Sequence, residues 1–110
     1  MRPRIYISGP ITLGDAKHNF QQAAEAQRRL LIEGFAPWNP MLTMLLDYAE
    51  EIPHAVWVDA DLPWIEAAKA VLRLPGESVG ADAEVAFARS KDVLVYYDID
   101  ELIADKEDLQ

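Results

Sequence analysis

Glu84, Tyr6, Asp61 and Ser78 are the residues of this chain whose types and surroundings could do chemistry on a small molecule. Glu84 falls in the first turn of a segment of helical spacing whose apolar face is Ala81, Val85 and Ala88. On the helical wheel it falls at the margin of that face, where a cleft at the sheet's edge would meet it. A partly desolvated carboxylate in such a place can act as a nucleophile or a general base. The same position also suits an ordinary acid that favours a helix N-terminus. Tyr6 lies two residues before the end of a strand-like run. It reads either as a core residue with a partnered hydroxyl or as a group that orients a carboxylate. Asp59 and Asp61 are two apart and do not share a helix face. The other ligands of an oxygen-donor site are not apparent, so no metal is expected, and Asp61 alone is the site candidate. His18 and His54 have no partner at ligand spacing and read as surface or capping residues. Trp38, Trp57 and Trp64 read mainly as core.

Ser78 belongs to the most informative stretch, Pro75-Gly76-Glu77-Ser78-Val79-Gly80-Ala81-Asp82-Ala83-Glu84. This joins a buried strand to a helix, whose first N–H groups are free and carry partial positive charge. Gly76 and Gly80 would let a backbone approach a ligand, and the Ser78 hydroxyl can donate to it. Phosphate fits there. So does the plainer reading, a strand-to-helix turn capped by Ser78. A companion loop of Ser8, Gly9, Pro10 and Ile11 follows the first strand and could turn its backbone donors to the same ligand.

These residues need a scaffold that gathers strand ends. Short apolar runs alternate with helical stretches, which points to an α/β fold. Strands are expected at Ile5–Ser8, Phe35–Trp38, Ala70–Leu74 and Val93–Tyr97. Pro37 assigns the second to an edge or a strand end. A helix from Lys17 to Glu33, capped by Asp15, should bury Phe20, Ala23, Ala24, Leu30 and Leu31. Met41–Glu51 reads as a helix or an ordered loop. Ala55–Ala68 reads as a kinked helix or two helices, because Pro63 interrupts it. A helix over Ala81–Ser90 and a short acidic helix complete the pattern. The expectation is a flavodoxin-like, Rossmann-like three-layer sandwich with a mostly parallel sheet of four to five strands. Its ligand would lie beyond the carboxyl ends of the strands, at the switch point.

At 110 residues the chain is expected to form one domain, spanning 1–110. It has no cysteine, so it has no disulfide framework and no thiolate chemistry; this fits a cytoplasmic setting. The N-terminal residues lack the apolar core of a signal peptide, and no apolar run approaches the ~20 residues of a membrane span. The net charge of −9 makes nucleic acid and anionic membranes unfavourable partners. Six acids and one base between Asp98 and Gln110 account for most of it, so a small anionic ligand remains compatible with the rest.

In order along the chain, Tyr6-Ile7-Ser8-Gly9-Pro10-Ile11-Thr12, Asn39-Pro40, Asp61-Leu62, Leu74-Pro75-Gly76 and Ser78-Val79-Gly80-Ala81-Asp82-Ala83-Glu84 resemble the nucleoside 2-deoxyribosyltransferase-like superfamily. The likeness is greatest to its branch of small, mostly uncharacterised bacterial and phage proteins. The resemblance implies that Glu84 attacks the anomeric carbon, that Tyr6 positions it, and that Asp61 assists at the base. It also implies a nucleotide or nucleoside substrate, no cofactor or metal, and a homodimer or larger assembly. Ser78 and Gly80 match the form found in deoxynucleoside 5′-monophosphate N-glycosidases, where the free-nucleoside transferases carry an aspartate. A serine among helix N–H groups attracts phosphate, whereas an aspartate repels it. The expected activity is hydrolysis of the N-glycosidic bond of a (deoxy)nucleoside 5′-monophosphate. A 2-deoxyribosyltransferase, a phosphoribohydrolase and a non-catalytic nucleotide-binding module are the alternatives.

Overall fold

A computed structural model describes residues 1–110, apart from the side chains of residues 44, 45 and 48. Its elements are β1 (Arg4–Ser8), α1 (Ala16–Ile32), β2 (Ala36–Trp38), α2 (Met44–Ala49), α3 (His54–Ala67), β3 (Ala70–Arg73), α4 (Val79–Ser90), β4 (Leu94–Tyr96) and α5 (Ile99–Ala104). Single 3-10 turns lie at Pro40–Thr43 and Lys106–Leu109. The strands form one parallel sheet in the order β2-β1-β3-β4. The chain therefore builds outward in both directions from the β1/β3 pair, which is the switch point of a flavodoxin-like sheet.

Strand alternation divides the core in two. Ile5, Ile7 and Leu72 face one side, with Leu30 of α1, Phe35, and Leu102 of α5. Tyr6 and Val71 face the other, with Ile65 of α3, Ala88 of α4, and Val93. Both central strands are thus covered on both faces, which is why they read as nearly unbroken apolar runs. Each fully buried Ile or Leu contributes roughly 1.5–3 kcal/mol. The acidic C-terminal segment is part of this core. Asp98 caps α5 by accepting from the Asp100 N–H at 2.9 Å, and Leu102 and Leu109 are buried.

Several local expectations change. Asp15 does cap α1, accepting from the His18 N–H at 3.1 Å. The helix turns differently from the expected face, however: Phe20 and Leu31 are exposed, and Asn19, Ala23, Ala26 and Leu30 are buried. Asn19 holds its buried place because its amide donates to the carbonyls of Ile11, at 3.3 Å, and Leu13, at 2.9 Å. This anchors the loop after β1. The α3 helix is a single element with Pro63 inside it. Pro63 removes the donor for the Asp59 carbonyl, but both residues are exposed and water can replace the lost bond. The α4 helix begins at Val79, so Gly80 sits in its first turn and not in the preceding loop. None of the tryptophans is buried. Trp38, on the β2 edge, stacks on Trp64 of α3 with ring centroids 5.2 Å apart, and the Trp57 indole donates to Asp47 at 3.2 Å.

Candidate active site

Strand alternation puts Tyr6 and Ser8 on the same face of β1, the one covered by α3 and α4. Both donate to Glu84 in the second turn of α4. The Tyr6 hydroxyl meets one carboxylate oxygen at 2.5 Å, and the Ser8 hydroxyl meets the other at 2.8 Å. Each oxygen of Glu84 is thus held by one hydroxyl, so the carboxylate plane is fixed from β1. Ser8 was anticipated only as part of a ligand-facing loop; its side chain acts on Glu84 directly. A polar side chain two residues beyond Tyr6, on the same strand face, is the signal that could have indicated this.

Burial dominates the electrostatics. Tyr6 is fully buried, and burial pushes its hydroxyl far above the ordinary tyrosine range, helped by the adjacent Glu84 carboxylate. It therefore stays protonated and remains a donor. Burial also raises Glu84 above its ordinary value; the Asp61 charge adds to this, while the Tyr6 and Ser8 hydrogen bonds and the Arg73 charge oppose it. Asp61, half-buried on α3, is likewise raised by burial, against the opposing influence of the Tyr6 hydroxyl. Two carboxyls and one phenol thus meet where each carboxylate costs more to ionise than in water.

Glu84 opens onto a cleft of about 480 Å³ lined also by Gly9, Ile11, Thr12, Ser78, Gly80 and His54. Ser78 caps α4, accepting from the Ala81 N–H at 3.0 Å, and its hydroxyl proton remains available to the cleft. A Cβ at Gly80 would meet nothing nearer than the Ser78 Oγ at 4.0 Å, so the glycine leaves room at the helix start. Gly76 does something else. Its φ is +116°, and a Cβ there would come within 2.8 Å of the Pro10 ring. The close approach it permits is between the two loops, with Pro10 and Gly76 behind the cleft wall. His54 is exposed, as expected of a surface residue, and borders the cleft with Val58 one helical turn further on. Arg73 was read only as part of a strand. It is buried at the end of β3, and a cation closing an apolar run was the available signal.

The fold and the position of this cleft define a flavodoxin-like α/β protein with a carboxylate at the sheet's switch point. Over residues 3–97 the chain matches the family described as a domain of unknown function, DUF4406, and it belongs to that family. A solved 2-deoxyribosyltransferase from the psychrotolerant bacterium Bacillus psychrosaccharolyticus has the same fold at a TM-score of 0.66. It is 15% identical, and the match covers 91% of this chain and 90% of that one. The resemblance read from the sequence therefore holds at the level of fold. No curated protein matches the chain. Among the described residues, no helix is long and apolar enough to cross a membrane.

Proposed function

We propose that this protein cleaves the N-glycosidic bond of a (deoxy)nucleoside 5′-monophosphate, with Glu84 as nucleophile. The observation that carries this reading is the Glu84 carboxylate, held by the Tyr6 and Ser8 hydroxyls at the mouth of the cleft. In the first step a Glu84 oxygen bonds to C1′, and the C1′–N bond breaks with its electron pair leaving on the base. Asp61 of α3, whose carboxyl burial raises above its ordinary value, is the acid assigned to supply the proton the departing base needs. In the second step water attacks C1′ of the glycosyl ester. This releases the sugar 5-phosphate, frees the Glu84 carboxylate and returns a proton to the site. Tyr6 and Ser8 keep the carboxylate aimed throughout. Ser78, Gly80 and the first N–H groups of α4 receive the phosphate; Gly9 and Ile11 form the opposite wall, with Ser8 and Pro10 in the loop that supports it. The reaction requires no cofactor or metal.

A second reading is transfer of the deoxyribosyl group to another base, which the shared fold with a 2-deoxyribosyltransferase favours. Both readings use the same first step and differ in whether water or a base takes the sugar. Incubation with the eight common ribo- and deoxyribonucleoside monophosphates, followed by chromatography, tests the first. Release of base that is lost in Glu84→Gln supports it; no release from any of the eight overturns it. Adding an acceptor base then separates the two, since a transferase makes a new nucleoside or nucleotide. A thermal shift with nucleotide in the absence of turnover would identify a non-catalytic nucleotide-binding module.

The assembly we propose is a homodimer. The α3 helix buries little beyond Ile65, while Val56 and Trp64 are exposed on its outer side and Val58 faces the cleft. A second copy of the chain is the partner that would cover this surface beside the cleft.

A further inference from the structure

Arg73 is the last residue of β3, in register with Ser8 of β1. Alternation from Val71 puts it on the sheet face that carries Tyr6 and Ser8. Its side chain is only 8% exposed. The guanidinium donates to the Leu74 carbonyl, to the Gly76 carbonyl at 3.0 Å, and to the Asp82 carboxylate at 3.0 Å. One planar fork thus ties together the end of β3, the loop after it and the first turn of α4. Glu84 follows two residues later on that helix. A lysine carries the charge but not the fixed fork that serves several acceptors at once.

We propose that Arg73 is a positioning residue for Glu84: it locks α4 to the end of β3 on the sheet face whose Tyr6 and Ser8 hold the nucleophile. This rests on the reading of Glu84 given above. A loop clasp alone would not call for a full charge, which is costly to bury. Asp82 neutralises that charge weakly, because its side chain is 74% exposed and water screens the pair. The Arg73 charge also favours the ionised form of Glu84, the least of the influences on that carboxyl, in the same direction as the Tyr6 and Ser8 hydrogen bonds. The other groups facing Glu84 are Tyr6 and Ser8 from β1 and Asp61 from α3, with His54 across the cleft. Tyr6 and Ser8 orient the carboxylate and Asp61 opposes its charge, which leaves Arg73 as the cation of the set.

The test follows the Glu84 carboxyl by carbon-13 NMR of glutamate-labelled protein, with Glu84→Gln assigning the resonance, alongside the pH profile of nucleotide hydrolysis. In Arg73→Met the Glu84 midpoint should move upward, and the acidic limb of kcat/KM should move with it. In Arg73→Lys the midpoint should stay near that of the wild type while kcat falls on the order of 10- to 100-fold, since the charge remains and the fork is lost. A folded Arg73→Met with an unmoved Glu84 midpoint, or an Arg73→Lys with wild-type kcat, overturns the proposal. If Arg73→Met does not fold, Arg73→Gln, which keeps a donor for the Gly76 carbonyl, takes its place in the same comparison. Failure of the underlying reading has a separate signature: base release is equal in wild type and Glu84→Gln, while the NMR midpoint still reports on Arg73.

Discussion

Glu84 is arranged at a cost to the fold. Its carboxyl is raised in the folded state, so the folded protein binds this proton more tightly than the unfolded chain does. The resulting stability is fully present below the unfolded pKa and is lost as pH rises through the folded one. Glu84→Gln should therefore be more stable than the wild type at neutral pH, on the order of 1 kcal/mol. Thermal melts across pH should show that margin closing as the solution is acidified. The same change should remove at least ~1,000-fold of activity if the carboxylate is the nucleophile. Tyr6→Phe tests the neighbouring contact. It leaves the ring in its buried place and deletes the hydrogen bond that lowers the Glu84 pKa. The acidic limb of kcat/KM should shift upward, with a loss of kcat of about 10-fold or more. An unchanged limb would mean that the Tyr6 hydroxyl does not act on the reacting form of Glu84.

At the scale of elements, the start of α4 carries two roles on one side chain, and substitution can separate them. Ser78→Ala removes the cap and should cost about 1 kcal/mol in a melt; Ser78→Gly should cost only a few tenths. Ser78→Asp keeps a good cap but sets a negative charge in the proposed phosphate position. Its melting temperature should stay near that of the wild type, while KM for a nucleoside monophosphate rises and KM for the free nucleoside does not. Equal effects on both substrates would remove the phosphate from that end of the cleft. Gly76→Ala belongs to the same loops. It meets a φ of +116° and the Pro10 ring together, and should destabilise the protein by roughly 1–3 kcal/mol. The alternation of strands and helices was legible because apolar runs, helix periods and the loops between them are local features of the chain, and the pairing of Tyr6 with Glu84 was implied by the resemblance their motifs carry. The buried face of α1 was not legible, because Asn19 competes for it through carbonyls that only the folded loop presents. Nor was the role of Arg73, since its acceptors in the loop and α4 meet only when the strand and helix are packed. The tryptophans were misread for a related reason. Composition favours burying them, but Trp38 lies at a sheet edge and stacks on the outer side of α3.

At the scale of the molecule, two surface properties oppose each other. The chain carries a net charge of −9, which resists self-association. The α3 helix nonetheless leaves Val56 and Trp64 each more than half exposed, next to the half-buried Trp57. A stable dimer needs about 800 Å² from each partner, roughly a tenth of the surface of a small protein. The outer face of α3 with the Trp38–Trp64 stack offers an apolar start for such a contact. If a second copy packs there, light scattering coupled to gel filtration should give twice the chain mass. Added salt should strengthen the association by screening like charge. Val56→Asp should convert the dimer to monomer with little change in the fold, because Val56 is exposed in the single chain. Val58 lines the cleft from the other side of the same helix, so a shift of α3 on loss of the dimer should also lower kcat/KM. A wild-type protein that runs as a monomer at high salt would reject this surface as a self-association site. A monomeric Val56→Asp with full activity would show instead that each subunit closes its own cleft.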